Sequence, residues 1–398
     1  MSEYIEKKIL KLKLLTPVHI TDGYAGELIP TEYVITDNGQ LHKIDLARLI
    51  SQIPDNKLDQ FNKLLDKESI IEIRNFIKLL WKENQEIFSD VIEYSMTAGD
   101  LHEYYNNLQN ENKAGQFIVA PFIRSGRKIF IPGSSLKGAI RTAFINELAK
   151  DQIDFKLNAP DINKKSQILE ADTLYYSYPD RNNKNRIKVN ATKDPFKALK
   201  IGDVSIPPDS NGINSIVKKI EIVQKTDAGK FDVTQMEDMK IFAEVLRRGV
   251  EANAEIRLDS RFFSDPKSIG RKISLDEVVN SCKAFYKKVL VHERDKFFSQ
   301  FDKQVGKSQI SDMYDEFLKL NESPESFLLR IGKHSGRNSL SFNLCNKKGV
   351  EPKSRKLIKE SNEYWPLGWL CATLVNRISP FQVRYFRMPG QMPISDRP

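Results

Sequence analysis

Residues 131–144 read Ile131-Pro-Gly-Ser-Ser-Leu-Lys-Gly-Ala-Ile-Arg-Thr-Ala-Phe144, and the turn from strand to helix inside that stretch sets the architecture. Pro132-Gly133 stops an extended segment, because proline lacks a ladder donor and glycine frees the backbone to turn. Ser134 or Ser135 then caps a helix. Leu136, Ile140, Phe144 (or Ala143) and Leu148 recur at helical spacing and form one apolar stripe. The first amides of such a helix, on Ser135, Leu136 and Lys137, lack intrahelical acceptors, and the helix dipole makes that end positive. Phosphate is a natural ligand there. Lys137 and Arg141 stand one turn apart on one face, and Gly133 and Gly138 admit another backbone closely. Gly133 and Gly138 also fit the frame of a nucleotide-binding P-loop, but Ala139-Ile140 stands where Lys-Ser/Thr would follow, which disfavours a nucleoside triphosphate. Two readings stay open: a phosphate-gripping helix start, or a capped core helix with two solvated cations.

Upstream, residues 117–132 have strand character and carry Arg124, Arg127 and Lys128. At the amino end Leu10, Leu12 and Leu14 alternate with Lys11 and Lys13, the period of a half-buried strand, and a glycine-bearing loop runs from Thr16 to Gly26. Between 45 and 110, Ile70, Ile73, Ile77 and Leu80 predict helix. Downstream, 156–214 is rich in Asn, Asp, Pro and Lys and reads as a long loop or hairpin excursion. Its run Arg181-Asn-Asn-Lys184-Asn-Arg186-Ile-Lys188 either orders on RNA or is a solvated loop. Val250 to Leu258 alternates apolar with polar, a clear strand. Ser274-Leu-Asp-Glu277 matches a capping box that opens a helix to about 303, and a second helix spans 309–321. Phe327 to Ile331 is apolar, followed by Gly332-Lys333-His334-Ser335-Gly336-Arg337, which is either an RNA contact through exposed amides and two cations or an ordinary basic turn. The order of elements predicts an α+β chain of ferredoxin-like or RRM-like units with a helical insertion and long hairpin or loop insertions. Residues 1–45 with 115–270 form the first unit, 46–114 the helical insertion and 271–398 the second half.

The chain has 398 residues and a formal charge of +9, from 62 Lys+Arg against 53 Asp+Glu. That surplus biases it toward polyanions. Cys282, Cys345 and Cys371 are far apart and odd in number, so neither a disulfide framework nor a zinc knuckle is expected. The start lacks a signal peptide, and the least polar stretch, Pro366 to Val375, is too short to span a bilayer, so a cytoplasmic protein is expected. No cofactor or metal is expected: His102-Glu103 and His292-Glu293 lack H-E-x-x-H spacing. His19, beside glycine and basic residues, is structural, RNA-contacting, or the general base of a metal-independent ribonuclease, although no oriented partner beyond Asp22 is evident.

The string IPGSSLKGAIRT resembles the signature of the RAMP proteins, the repeat-associated RNA-binding subunits of CRISPR effectors. Thr16-Pro17-Val18-His19-Ile20, Asp194-Pro195-Phe196 with Lys200-Ile201-Gly202-Asp203, Phe242 to Gly249 with the following strand, and Pro366-Leu-Gly-Trp369 are similar, in order, to the crRNA-capping subunits of type III-A (Csm) assemblies. The Gly332–Arg337 loop is less dense in glycine than that of many RAMPs. The resemblance implies an RRM-like body holding the 3′ part of crRNA along a target RNA. It also implies contacts with the adjacent backbone subunit and the small helical subunit, and help in crRNA maturation by recruited exoribonucleases. On that reading Gly133, Ser134, Ser135, Lys137 and Arg141 clasp phosphates, and Arg124, Arg127, Lys128 and the 332–337 loop extend the track. Phe122 and Phe130 either stack on bases or, more simply, fill the core. The rivals are a RAMP-type endoribonuclease using His19 and a small-molecule phosphate-binding enzyme.

Overall fold

The structure, a computed structural model, describes residues 4–23, 26–107, 117–149, 170–174, 177–179, 187–206, 214–234, 241–264, 271–339 and 351–376. Strand Ile5–Leu14 is the middle of a five-stranded antiparallel sheet. Glu251–Asp259 flanks it on one side, with Leu199–Ile201 beyond; Trp369–Asn376 flanks it on the other, with Ser326–Arg330 at the far edge. The Leu/Lys alternation decides the register's two faces: Leu10, Leu12 and Leu14 are buried with Ala252, Ala254 and Ala372, while Lys11 and Lys13 are exposed. Strands from both sides of residue 270 thus share one sheet and one core.

The helix read from the opening stretch runs Gly133–Ala149, entered from strand Lys128–Ile131. Its predicted stripe is buried: Leu136, Ile140, Ala143 and Phe144. It packs against the long helix Leu275–Glu293, whose Tyr286 hydroxyl donates to the Ala139 carbonyl at 3.2 Å. The Ser274/Glu277 capping box is present in both directions. After Glu293 the helix passes through a π turn at Arg294–Phe298 into Ser299–Val305, and helix Gln309–Glu322 follows.

A second sheet of nine strands is organised on Ser215–Lys225, which pairs with Ile241–Leu246, Phe231–Thr234 and Ser354–Glu360. The helices of the insertion, Leu46–Gln52, Asp55–Asp66 and Ile70–Glu83, enclose their own core around Phe61, Ile77, Leu80 and Phe88. The insertion is not helical to residue 114. Strand Ile92–Thr97 pairs with Gln40–Ile44 and bridges Ile216, with Met96 fully buried. Its short alternation, Ile-Glu-Tyr-Ser-Met-Thr, lies between helices and carries no turn residue to announce it.

Candidate nucleic-acid interface

The start of the Gly133–Ala149 helix is occupied from within the chain. The Gly133 amide donates to the Asp203 carboxylate at 2.8 Å, and a side chain at 133 would stand 2.1 Å from the Ile201 carbonyl oxygen. Lys137 Nζ donates to the Leu199 carbonyl at 2.8 Å, and burial lowers its pKa, helped by Lys200. Arg141 donates through Nη1 to both oxygens of Asp194 at 2.9 Å and through Nε to Glu170 at 3.2 Å, lying over the Phe196 ring. The expected phosphate clasp by Gly133, Lys137 and Arg141 is thus met, in the chain alone, by partners from the 170–203 region. Carboxylates hold Arg141 and a backbone carbonyl holds Lys137, and a nucleic-acid phosphate would have to displace these partners. Ser134 remains exposed and Ser135 half-exposed.

Arg124 is likewise engaged within the chain. Its guanidinium is forked onto Glu244 by two contacts of 2.6 Å and covers the Tyr94 ring at 3.9 Å. Glu244 is fully buried and also accepts from the Phe122 amide and the Ser215 hydroxyl, so four donors meet one carboxylate. Arg127 and Lys128 are exposed on the hairpin that precedes the helix. Phe122 is core and Phe130 is half-buried. Arg181, Lys184 and Arg186 lie outside the described residues.

His19 is fully buried. Its Nδ1–H donates to the Glu244 carbonyl at 2.7 Å, its Nε2 has no partner among the described residues, and its ring stacks on His334 at 5.9 Å. Burial draws its pKa down to about 4. The ring is sealed from solvent, and burial keeps it neutral. The backbone of His19 has a clear task instead. Its carbonyl accepts the Lys333 amide at 2.8 Å, and a Cβ on Gly332 (φ +88°) would fall 2.3 Å from the same oxygen. Glycine is therefore required at 332, and the loop is held against the first strand's exit.

This contact brings two predicted pieces together. A groove of about 410 Å³ lies between the helix face Ser135, Gly138 and Thr142 and the loop residues Gly332 and Lys333, with Thr21 at its side. The helix presents to it the face adjoining Lys137 and Arg141, and a Cβ at Gly138 would meet nothing within 4 Å. The groove is open, with small residues along the helix and Lys333 and Arg330 from the other wall.

Sequence reasoning missed the support beneath the loop. Glu293, Arg330 and Arg355 are all buried. Glu293 accepts from Arg330 Nη1 at 2.7 Å and from the Tyr314 hydroxyl at 3.0 Å, and faces Arg355 Nε at 3.2 Å. Arg330 Nε also donates to the Leu367 carbonyl. A lone arginine inside the apolar run Phe327–Ile331 was the available signal: a charge at a core position needs a buried partner. Among the described residues no group of His, Cys, Asp and Glu is placed to hold a metal, and no helix is long and apolar enough to cross a membrane.

A sequence profile of the RAMP superfamily matches residues 11–339. The chain belongs to the RAMP superfamily. Its IPGSSLKGAIRT stretch and its 332–337 loop both lie within the matched span. A curated relative, the "CRISPR system Cms protein Csm5" of Methanocaldococcus jannaschii, is 32% identical over 199 residues, which is 49% of this chain and 42% of that protein. The match thus spans about two fifths of the relative's length. Two solved structures share the RAMP fold. A chain in the cryo-EM structure of a Csm-crRNA-target RNA ternary complex of a type III-A CRISPR-Cas system superposes with a TM-score of 0.63 at 21% identity, covering 92% of this chain and 100% of that one. The crystal structure of T. onnurineus Csm5 gives 0.62 at 21% identity, covering 90% and 99%.

Proposed function

We propose that this RAMP chain is the Csm5-type subunit of a type III-A CRISPR effector, binding the 3′ part of crRNA as a non-catalytic cap at the end of the assembly. The observation that carries this reading is the groove between the Ser135–Thr142 helix face and the Gly332–Lys333 loop, which is open, lined by small residues and flanked by Lys333. Single-stranded RNA needs close backbone approach and unselective charge, and the groove offers both. The partners on this reading are crRNA, target RNA, the adjacent backbone subunit and the small helical subunit, with exoribonucleases recruited from outside and the whole assembly cytoplasmic.

The test is salt-titrated binding of the purified chain to crRNA, with a groove variant, Gly138→Asp, and a loop variant, Lys333→Gln. Both are expected to weaken binding, Lys333→Gln with a salt slope shallower by about 0.7. Unchanged affinity in both would overturn the reading. Incubation with repeat RNA without metal addresses the ribonuclease rival: no specific cleavage is expected, and cleavage lost in His19→Ala would reverse that. The small-molecule rival requires a phosphate at the helix start, where Asp203 already takes the Gly133 amide.

A further inference from the structure

Helix Ile70–Glu83 carries a line of cations that its own carboxylates do not serve. Arg74, Lys78 and Lys82 recur every four residues and so stand one above another on one side of the helix. The helix has two carboxylates, and both are engaged elsewhere: Glu72 with Lys67 at 3.4 Å, and Glu83 with Lys57. Beside these cations the turn Thr36–Gln40 and strand Gln40–Ile44 leave a pocket of about 480 Å³. Lys78, Lys82 and Gln85 line it from the helix and its end, and Thr36, Asn38 and His42 line it from the other side. We propose that this pocket docks an acidic segment of a protein partner, its carboxylates on Lys78 and Lys82 and a neighbouring apolar side chain on Leu79.

Three observations support it. The first is charge. Asp37 is the one carboxylate among the described residues that line the pocket. It lies 3.8 Å from Lys82 with both side chains exposed, a pair that contributes little. Behind the pocket, Arg74 is 2% exposed yet meets no carboxylate among the described residues. Its Nε and Nη2 share the Asn75 side-chain oxygen, and its Nη1 has no hydrogen-bond partner. The guanidinium lies 5.0 Å from the Tyr105 ring and 5.1 Å from Phe117, and Lys78 Nζ stands 4.9 Å from the same Tyr105 ring. Burial lowers the Lys78 pKa, and Lys82 and Arg74 press it the same way. A buried charge without a counter-ion raises the potential of the opening beside it, and here that opening already holds two ammonium groups.

The second observation separates a peptide from a nucleic acid. Single-stranded RNA sites stack bases on aromatic rings. The ring in this pocket, Trp81, is already used: His42 stacks on it at 5.1 Å and Phe88 meets it edge-on at 4.9 Å. His42 is fixed in turn by a 2.6 Å hydrogen bond between Nδ1 and the Ser95 hydroxyl, and burial lowers its pKa, so it stays neutral at neutral pH. What the pocket offers a ligand is ammonium, hydroxyl and amide, the donors that carboxylates accept from. The third observation is apolar. Leu79 is half exposed on the outer side of the same helix, next to the two lysines. Cations beside an exposed leucine match a segment that alternates acidic with apolar residues, and complementarity of this kind selects the partner.

The inference does not rest on the RNA groove, which other elements form. The experiment uses the whole chain, with Lys78→Gln and Lys82→Gln singly and together, and Leu79→Ser. None of the three side chains is fully buried, so the fold is expected to persist, and thermal melts verify it. The probes are a fluorescent peptide alternating glutamate with leucine, its glutamine counterpart, and a fluorescent oligouridylate. Anisotropy titrations are expected to show the glutamate peptide binding the parent chain, roughly tenfold more weakly to the double variant and about threefold more weakly to Leu79→Ser. Peptide binding that survives Lys333→Gln supports a site separate from the groove. No binding of the glutamate peptide by the parent chain overturns the proposal, as does an affinity unchanged in the double variant. Equal binding of the glutamine peptide reduces the contact to an apolar one and overturns it too. Oligouridylate affinity that falls in the double variant while peptide affinity holds gives this face to nucleic acid and rejects the protein partner.

Discussion

Two glycines in one helix have opposite requirements. At Gly133 any Cβ would collide with the Ile201 and Gly202 carbonyls, so Gly133→Ala must push the 199–203 segment away. A loss of about 2 kcal/mol or more in urea unfolding is expected. At Gly138 the space is open, and alanine is the better helix former by up to about 1 kcal/mol. Gly138→Ala is therefore expected to raise Tm slightly while filling part of the groove, so stability and RNA affinity move in opposite directions. A parallel fall of both would show that the residue is structural only. Glu244 is the most demanding single carboxylate. Glu244→Gln leaves the Arg124 guanidinium inside the protein without its counter-charge, and a cost of about 3 kcal/mol is expected from chemical denaturation.

At the scale of elements, the stacked pair His19 and His334 ties the glycine loop to the exit of the first strand, and it gives the loop a pH dependence. Both rings are held below their ordinary pKa, near 4 and near 3, chiefly by burial. The unfolded chain takes up these protons first, around 6.5. Stability is therefore intact above that value and is lost as pH falls from 6.5 toward 4, by up to about 1.4 kcal/mol per pH unit for each ring. His334→Asn keeps the left-handed backbone and is expected to roughly halve that slope in urea melts between pH 6.5 and 5. An unaltered slope would mean that other groups carry it.

What could be read from the sequence depended on range. Strand Ile5–Leu14, strand Glu251–Asp259 and the capped helix from Leu275 were legible because each states its period within ten or so residues. The partners of Lys137 and Arg141 were not. Arg141 meets Asp194 from 53 positions away, and nothing local separates a cation bound for a carboxylate from one bound for a phosphate. The pairing of helix face and glycine loop was anticipated as two separate contacts. The fold brings them together, but through Gly138 and Thr142, with the expected cations turned inward.

On the scale of the whole molecule, the two halves of the chain are interleaved. Trp369–Asn376 and Ser326–Arg330 complete the sheet begun by Ile5–Leu14, and Ser354–Glu360 pairs with Ser215–Lys225 in the other sheet. A chain cut after residue 270 loses those strands and leaves one edge of Ile5–Leu14 open. Such a fragment is expected to lack a cooperative transition in circular dichroism melts, whereas the whole chain unfolds in one step. Two resolved transitions in the whole chain would count against a shared core.

The same interleaving constrains synthesis. The Trp369 amide donates to the Thr16 hydroxyl across 353 residues of chain. While the ribosome is still reading the middle of the message, Leu10, Leu12 and Leu14 have no strand to complete their side of the sheet. Contact order this high makes folding slow and leaves sticky surface on the nascent polypeptide until its final segment emerges. Overexpressed alone, the chain should depend on chaperones and on slow translation for its soluble yield.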